Sequence, residues 1–190
     1  AAAQGLARGP VGVVVGHGAG LVRQAYPGTD VSWVTQEKQL GTGHAVLCAK
    51  DLFANFTGDV LILSGDVPLI TAITLRAMVD KHRTERSAVT FLTAALANAK
   101  GYGRILRDSA GRVTGIVEEK DANDHQRQIG EVNAGVYVVA SEFLFAALSA
   151  VKNDNRQGEY YLPDIVAIAL AQGKTVATAQ VEDCREMLGI

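Results

Sequence analysis

Along the chain, short apolar runs recur between polar, glycine-bearing turns, and many of them are followed by stretches of helical periodicity. Val11 to Val15 and Val31 to Val34 predict two strands, with Gly16-His17-Gly18-Ala19-Gly20 turning between them into a short helix through Leu21, Val22 and Ala25. The run Val60-Leu61-Ile62-Leu63 predicts a strand buried on both faces, which stops abruptly at Ser64-Gly65-Asp66-Val67-Pro68. Thr71 is the expected cap of a helix with Leu75, Met78, Val79 and His82 on its apolar face, where His82 reads as a core-edge residue. Ser87 to Leu96 predicts a strand. Gly101-Tyr102-Gly103-Arg104-Ile105 opens another, and Asp108-Ser109-Ala110-Gly111 turns it into a hairpin with Arg112 to Val117. The charged segment Asp121 to Arg127 reads as a solvated loop. Val136 to Val139 predicts a strand with Asn133 at its entry, and Ser141 is the expected cap of a helix bearing Leu144, Ala147, Leu148 and Val151. Gln157 to Asp164 enters a helix through Ala171, with Pro163 in its first turn and Gly173 as its stop, and Thr175 to Ala179 is the last strand. Residues 1 to 10 read as the tail of a helix closed by Gly9 and Pro10, while residues 182 to 190 carry no terminator.

This alternation predicts an α/β layered fold: a mixed, mostly parallel sheet flanked by helices, with the 101 to 117 hairpin as an antiparallel excursion. The length of 190 residues suits one domain with a real core. The balance of 18 Lys and Arg against 20 Asp and Glu supplies no basic field for a polyanion, so nucleic acid is disfavoured as a partner and any phosphate must be met locally. No apolar run approaches the roughly 20 residues of a membrane span. Cys48, Cys184 and the four scattered histidines fall in no metal-ligand spacing, and a reduced cytoplasmic setting is the expectation.

Three stretches carry candidate chemistry. Asp66 is predicted at the C-terminal end of its strand, where open α/β sheets bind ligands, although Gly-Asp before Val-Pro equally fits a plain turn. Gly16 to Gly20 falls short of the dinucleotide pattern G-x-G-x-x-G, because Leu21 stands where its last glycine is required, and the stretch reads as a turn. The loop Thr35 to Ala45 offers two glutamines, Gln36 and Gln39, whose amides both donate and accept as a nucleobase edge requires. Gly41 and Gly43 permit close backbone approach, and the helix that follows, with Ala45, Cys48, Ala49 and Leu52 on one face, points its N-terminal amides back at the loop. The bland alternative is a helix capped at Thr42 with solvated glutamines.

Taken together, Gln36 to Ala45, Gly65 to Ile70, Gly101 to Ile105, Val117 to Asp121, Glu131 to Gly135 and Gln157 to Asp164 resemble the uridyltransferase domain of bacterial bifunctional N-acetylglucosamine-1-phosphate uridyltransferase/glucosamine-1-phosphate acetyltransferase. The resemblance runs from about Val11 to Ile190. It implies a Rossmann-like nucleotide-diphospho-sugar transferase fold that joins UTP to N-acetylglucosamine 1-phosphate, giving UDP-N-acetylglucosamine for peptidoglycan and lipopolysaccharide synthesis and releasing pyrophosphate. Carried over by position, Gln36 and Gln39 are the expected uracil readers, with Gly41 and Thr42 completing that wall. Asp66 is the expected catalytic magnesium ligand. Gly103, Glu118, Asn133 and Tyr161 are expected to hold the N-acetylglucosamine unit, with Glu159 in support. The family's opening strand and glycine-rich phosphate loop, its further magnesium-binding Asn and its β-helix acetyltransferase domain have no counterpart here, and Pro163 replaces a Thr that many members carry. Residues 1 to 190 are therefore expected to form a partial nucleotidyltransferase domain. A non-catalytic UDP-sugar-binding fragment and a nucleotidyltransferase for another sugar are the alternatives. The resemblance leaves room for a homo-oligomer, the family's trimers being built through the absent domain.

Overall fold

Residues 5–187 are described by the computed structural model of the chain. Strand β1 (Gly12–Val15) leads through helix α1 (Ala19–Ala25) to β2 (Ser32–Thr35), and these strands pair in parallel with Val15 opposite Thr35. Helix α2 (Thr42–Cys48), a 3-10 turn (Lys50–Phe53), β3 (Asp59–Ile62) and α3 (Ala72–Thr84) follow. Then come β4 (Val89–Ala95), the hairpin β5 (Arg104–Arg107) and β6 (Val113–Val117), the short α4 (Asp124–Arg127) and the long β7 (Glu131–Ala140). Helices α5 (Ser141–Ala150) and α6 (Asp164–Ala171), strand β8 (Val176–Gln180) and a 3-10 turn (Cys184–Met187) complete the described residues.

Strands β3 to β8 form one mixed sheet in the order β6-β5-β7-β4-β8, with β3 also paired to β7. The expectation of a mostly parallel sheet is corrected here. Among the described residues only β1 with β2 and β4 with β8 are parallel, whereas β3, β4 and β5 all run antiparallel to β7, as β6 does to β5. The crossover through α3 does make β3 and β4 run the same way, both antiparallel to β7. They are not neighbours, because β7 inserts between them with Tyr137 facing Ile62 on one side and Phe91 on the other.

Alternation along β4 and β7 divides the core into two layers. Val89, Phe91, Tyr137 and Val139 face α5 and α6, meeting Leu144, Leu148, Ile165 and Val166. Leu92, Ala94, Val132, Val136 and Val138 face the other way, onto Leu75 and Met78 of α3. Each of those two α3 side chains is fully buried, worth about 1.5–3 kcal/mol apiece in transfer from water. Thr71 caps α3 as expected, accepting from the Thr74 amide at 3.2 Å. His82 is a core residue, its Nδ1 lying 2.9 Å from Thr90 Oγ1, and burial holds its pKa below the ordinary imidazole value. Among the described residues no helix is long and apolar enough to cross a membrane.

Local expectations differ from the structure where a side chain finds a remote partner. Ser141 does not cap α5 but begins it; its hydroxyl donates to the Phe56 carbonyl at 3.1 Å and receives the Gly58 amide at 3.3 Å. The charged run is not wholly a loop: Asn123 and Gln126 close a reciprocal capping box around α4, a pairing written in the sequence as N-x-x-Q. Residues 5–10 form turns and bends rather than a helix tail, and residues 1–4 and 188–190 lie outside the described part.

Candidate functional site

Three of the expected sugar contacts come together through register alone. Arg104 of β5 pairs with Val117 of β6 on one side and with Val132 of β7 on the other. One position along, Gly103 therefore faces Glu118 and Asn133, and the Asn133 amide donates to the Gly103 carbonyl at 2.9 Å. A Cβ added to Gly103 would stand 3.0 Å from Glu118 Oε1, so glycine is what lets the carboxylate lie against this backbone. Asn133 sits three residues into β7 rather than at the entry of a shorter strand, and its side-chain oxygen accepts from the Gly135 amide at 3.1 Å.

The glutamine loop is stitched to the segment before α6. Gly43 donates to the Tyr160 carbonyl at 2.8 Å, Tyr160 donates to the Leu40 carbonyl at 2.8 Å, and Leu162 donates to Thr42 Oγ1 at 3.0 Å. Thr42 thus begins α2 and braces a remote strand of chain instead of capping the helix, the cap position being Gly41. A Cβ on Gly41 would meet the Tyr160 oxygen at 2.7 Å and the Glu159 Cβ at 2.9 Å. Gln36 is buried, its Nε2 donating to the Gly41 carbonyl at 3.1 Å, and Gln39 donates to the Gln36 carbonyl at 2.9 Å while remaining exposed. Glu159 is half-buried, with its backbone held by Asn155 through bonds of 2.6 and 3.2 Å.

Asp66 lies in a turn beyond β3, which ends at Ile62 rather than Leu63, and its carboxylate is exposed. The loop is nevertheless anchored near the row Gly103, Glu118 and Asn133: Ser64 Oγ donates to the Gly135 carbonyl at 3.1 Å. Among the described residues no group of three or more His, Cys, Asp or Glu side chains is placed to hold a metal. The donor set at Asp66 therefore fits only an ion that arrives with phosphate oxygens and water as its other ligands, as magnesium does.

With this geometry in view, the nucleotidyl transferase family matches residues 18–184. The chain belongs to the nucleotidyl transferase family. It is 47% identical over 179 residues to the bifunctional protein GlmU of Geotalea daltonii, covering 94% of this chain and 39% of the relative. It is 46% identical over all 190 residues to GlmU of Pelobacter propionicus, covering 41% of that protein. It is 51% identical to GlmU of Geobacter metallireducens over 94% of this chain and 38% of the relative. The chain thus spans about two-fifths of the length of these curated relatives. A crystal structure of UDP-glucose pyrophosphorylase complexed with UDP-glucose superimposes with a TM-score of 0.72, covering 93% of this chain and 75% of that one at 16% identity. That likeness shows the nucleotide-sugar transferase fold, which the family resemblance in the sequence implies.

Sequence reasoning missed several residues of this nucleotidyl transferase that surround the expected contacts. Asp164, read only as the entry to α6, adds its charge to that of Asp121 beside Glu118. Burial first, and these two carboxylates next, push the Glu118 pKa up, with the Arg104 guanidinium opposing them. Asp164 is raised in turn by burial and by Asp121. The Tyr161 hydroxyl is buried with no partner in close hydrogen-bonding geometry, and its pKa is pushed up to about 12 by burial, with Gln157 opposing and Asp121 and Glu118 adding to the effect. Asp121 Oδ2 and the Tyr137 hydroxyl are likewise buried and unpartnered, and burial and the Glu118 charge raise the Tyr137 pKa. The x-x-x-D end of the Gln157 to Asp164 motif was the available signal for Asp164; nothing local in the sequence marks Tyr137.

Proposed function

We propose that this chain carries the uridylyl-transfer half of the relatives' chemistry: UTP and N-acetylglucosamine 1-phosphate give UDP-N-acetylglucosamine and pyrophosphate. The observation that carries this reading is the row Gly103, Glu118 and Asn133, with the Tyr161 hydroxyl close enough to Glu118 to feel its charge and the 160–162 segment itself hydrogen-bonded to the glutamine loop, which supports a sugar grip and a base reader side by side. Gln36, Gln39, Gly41 and Thr42 take the uracil. Gly103, Glu118, Asn133 and Tyr161 take the sugar hydroxyls and the acetamido group, with Glu159 in support. A sugar whose hydroxyl left such buried partners unpaired would be rejected strongly.

In this reaction an oxygen of the sugar phosphate attacks the α-phosphorus of UTP, and the bond to the β-phosphate oxygen breaks to release pyrophosphate. The chain needs no covalent nucleophile, since its task is to align two anions. Magnesium, when bound, neutralises charge on the phosphates, and Asp66 is the residue that would hold it. The cytoplasm, where UTP is made, is the matching setting. Incubating the chain with UTP, magnesium and either N-acetylglucosamine 1-phosphate or glucose 1-phosphate tests the reading. Product and pyrophosphate from the first sugar only are expected. Product from glucose 1-phosphate alone would reassign the sugar, and tight UDP-N-acetylglucosamine binding with no turnover would reduce the role to recognition.

A further inference from the structure

Two members of the sugar row, Gly103 and Glu118, lie just outside the paired ends of their strands: β5 begins at Arg104 and β6 ends at Val117, while Asn133 stands inside β7. The Asn133 amide still holds the Gly103 carbonyl on the β7 side, but beyond the end of the β5–β6 ladder no backbone bond fixes Gly103 against Glu118. We propose that the ion pair between the buried Arg104 and the half-buried Glu119 is a positioning device that takes over from the β5–β6 ladder and holds the Gly103 backbone and the Glu118 carboxylate in place. This rests on the sugar-site reading above.

Arg104 is only 2% exposed, although it follows a glycine turn at the very start of its strand. Its Nη1 donates to the Tyr102 carbonyl, and its Nη2 donates to Glu119 Oε2 at 2.7 Å and to the Arg127 carbonyl at 3.4 Å. Glu119 Oε2 also receives the Gly101 amide at 3.2 Å, and its Oε1 lies 3.9 Å from Arg127 Nε. Residues 101 and 102, immediately before Gly103, are thereby tied to residue 119, immediately after Glu118, and to the end of α4. Burying a guanidinium is expensive unless it is paired, and a buried ion pair adds little stability over apolar residues of the same size. Its contribution here is geometric: the planar fork reaches a carboxylate and two carbonyls at once, which a lysine cannot do.

The test is calorimetric titration of the full chain with UDP-N-acetylglucosamine and, separately, with UDP, the ratio of the two affinities reporting the sugar grip alone. Glu119→Ala removes one partner; R104M/E119M removes both charges together and so keeps the fold accessible even where a lone buried arginine would not. In folded protein, checked by circular dichroism, either variant is expected to lower the ratio by about tenfold while UDP binding is unchanged. Equal loss for both ligands, or an unchanged ratio in folded R104M/E119M, overturns the positioning role. Glu118→Ala separates the two levels. If it lowers the ratio while the pair variants do not, the inference alone fails; if it also leaves the ratio unchanged, the sugar-site reading beneath it is what fails.

Discussion

Gln36 Nε2 stands 2.9 Å from His44 Nδ1 and 3.1 Å from the Gly41 carbonyl oxygen. The carbonyl can only accept, so the contact to it identifies the nitrogen end of the amide, and His44 must then accept as well. Both amide hydrogens are engaged, which leaves Oε1 as the group offered to a ligand. An acceptor there matches a base edge with a ring N–H, such as the imide of uracil, and mismatches cytosine, whose corresponding ring nitrogen accepts. Gln36→Ala is expected to weaken binding of uridine nucleotides by about tenfold or more, since a hydrogen bond in a desolvated site is worth roughly 1–3 kcal/mol when its partner is left unpaired. His44→Ala is expected to lose less affinity but to narrow the preference for UTP over CTP. Calorimetry with both nucleotides checks this, and an unaltered UTP-to-CTP ratio in folded His44→Ala would remove His44 from base selection.

Gly41 carries a φ of +107°, and the space where a side chain would begin is occupied by the Tyr160 backbone 2.7 Å away. Backbone of this kind costs any residue but glycine about 1–3 kcal/mol before the collision is counted. Gly41→Ala is therefore expected to destabilise the chain by at least that amount and to part the glutamine loop from residues 160–162. Urea unfolding measures the loss. Gly65→Ala is the control, because a Cβ there meets nothing within 4 Å and its φ is unremarkable.

The same residue shows what is legible in a sequence and what is not. That Gly41 and Gly43 admit close backbone approach follows from their lacking a side chain; that the approaching backbone is Tyr160 depends on a pairing more than a hundred residues away, for which no local pattern exists. Likewise the β3-α3-β4 spacing is readable as a crossover and gives the direction of both strands correctly. The position of β7 between them is a non-local choice, and it turns a mostly parallel sheet into a mixed one. The row Gly103, Glu118 and Asn133 is visible as separate motifs through resemblance, but only register makes it a row. Asp164 and Arg104 escaped because one looks like a helix entry and the other like a strand residue, and their roles exist only through neighbours from other elements.

Burial, together with neighbouring carboxylates, raises the pKa of Glu118 and Asp164 in the folded chain. Unfolded, they titrate near the ordinary values of about 4.3 and 3.9. A group whose folded pKa is raised contributes stability that is fully present below its unfolded pKa and is lost as pH rises through the folded value. Glu118→Gln and Asp164→Asn remove that loss. Their melting temperatures are expected to gain on the parent as pH rises from about 4 towards 8, with the difference smallest at the acid end. A difference that stays constant over this range would show that neither carboxylate carries a burial penalty.

Asp66 offers the cleanest separation of chemistry from folding. Its side chain is exposed, and the loop is secured instead by the Ser64 hydroxyl on the Gly135 carbonyl and by the buried Val67 and Ile70. Asp66→Asn keeps the size and removes the charge, so its unfolding free energy is expected to stay within about 0.5 kcal/mol of the parent, as for other surface substitutions away from packed features. If Asp66 holds the metal as proposed, magnesium is expected to strengthen UTP binding to the parent and to have little effect on the variant, because an ion of this kind takes one or two carboxylates and fills its other positions with phosphate oxygens and water. Titrations with UTP in magnesium and in chelator measure this. Equal strengthening by magnesium in Asp66→Asn would move the metal to another residue while leaving the base and sugar contacts untouched. A large loss of stability would instead give Asp66 the turn-forming role that its Gly-Asp context also fits.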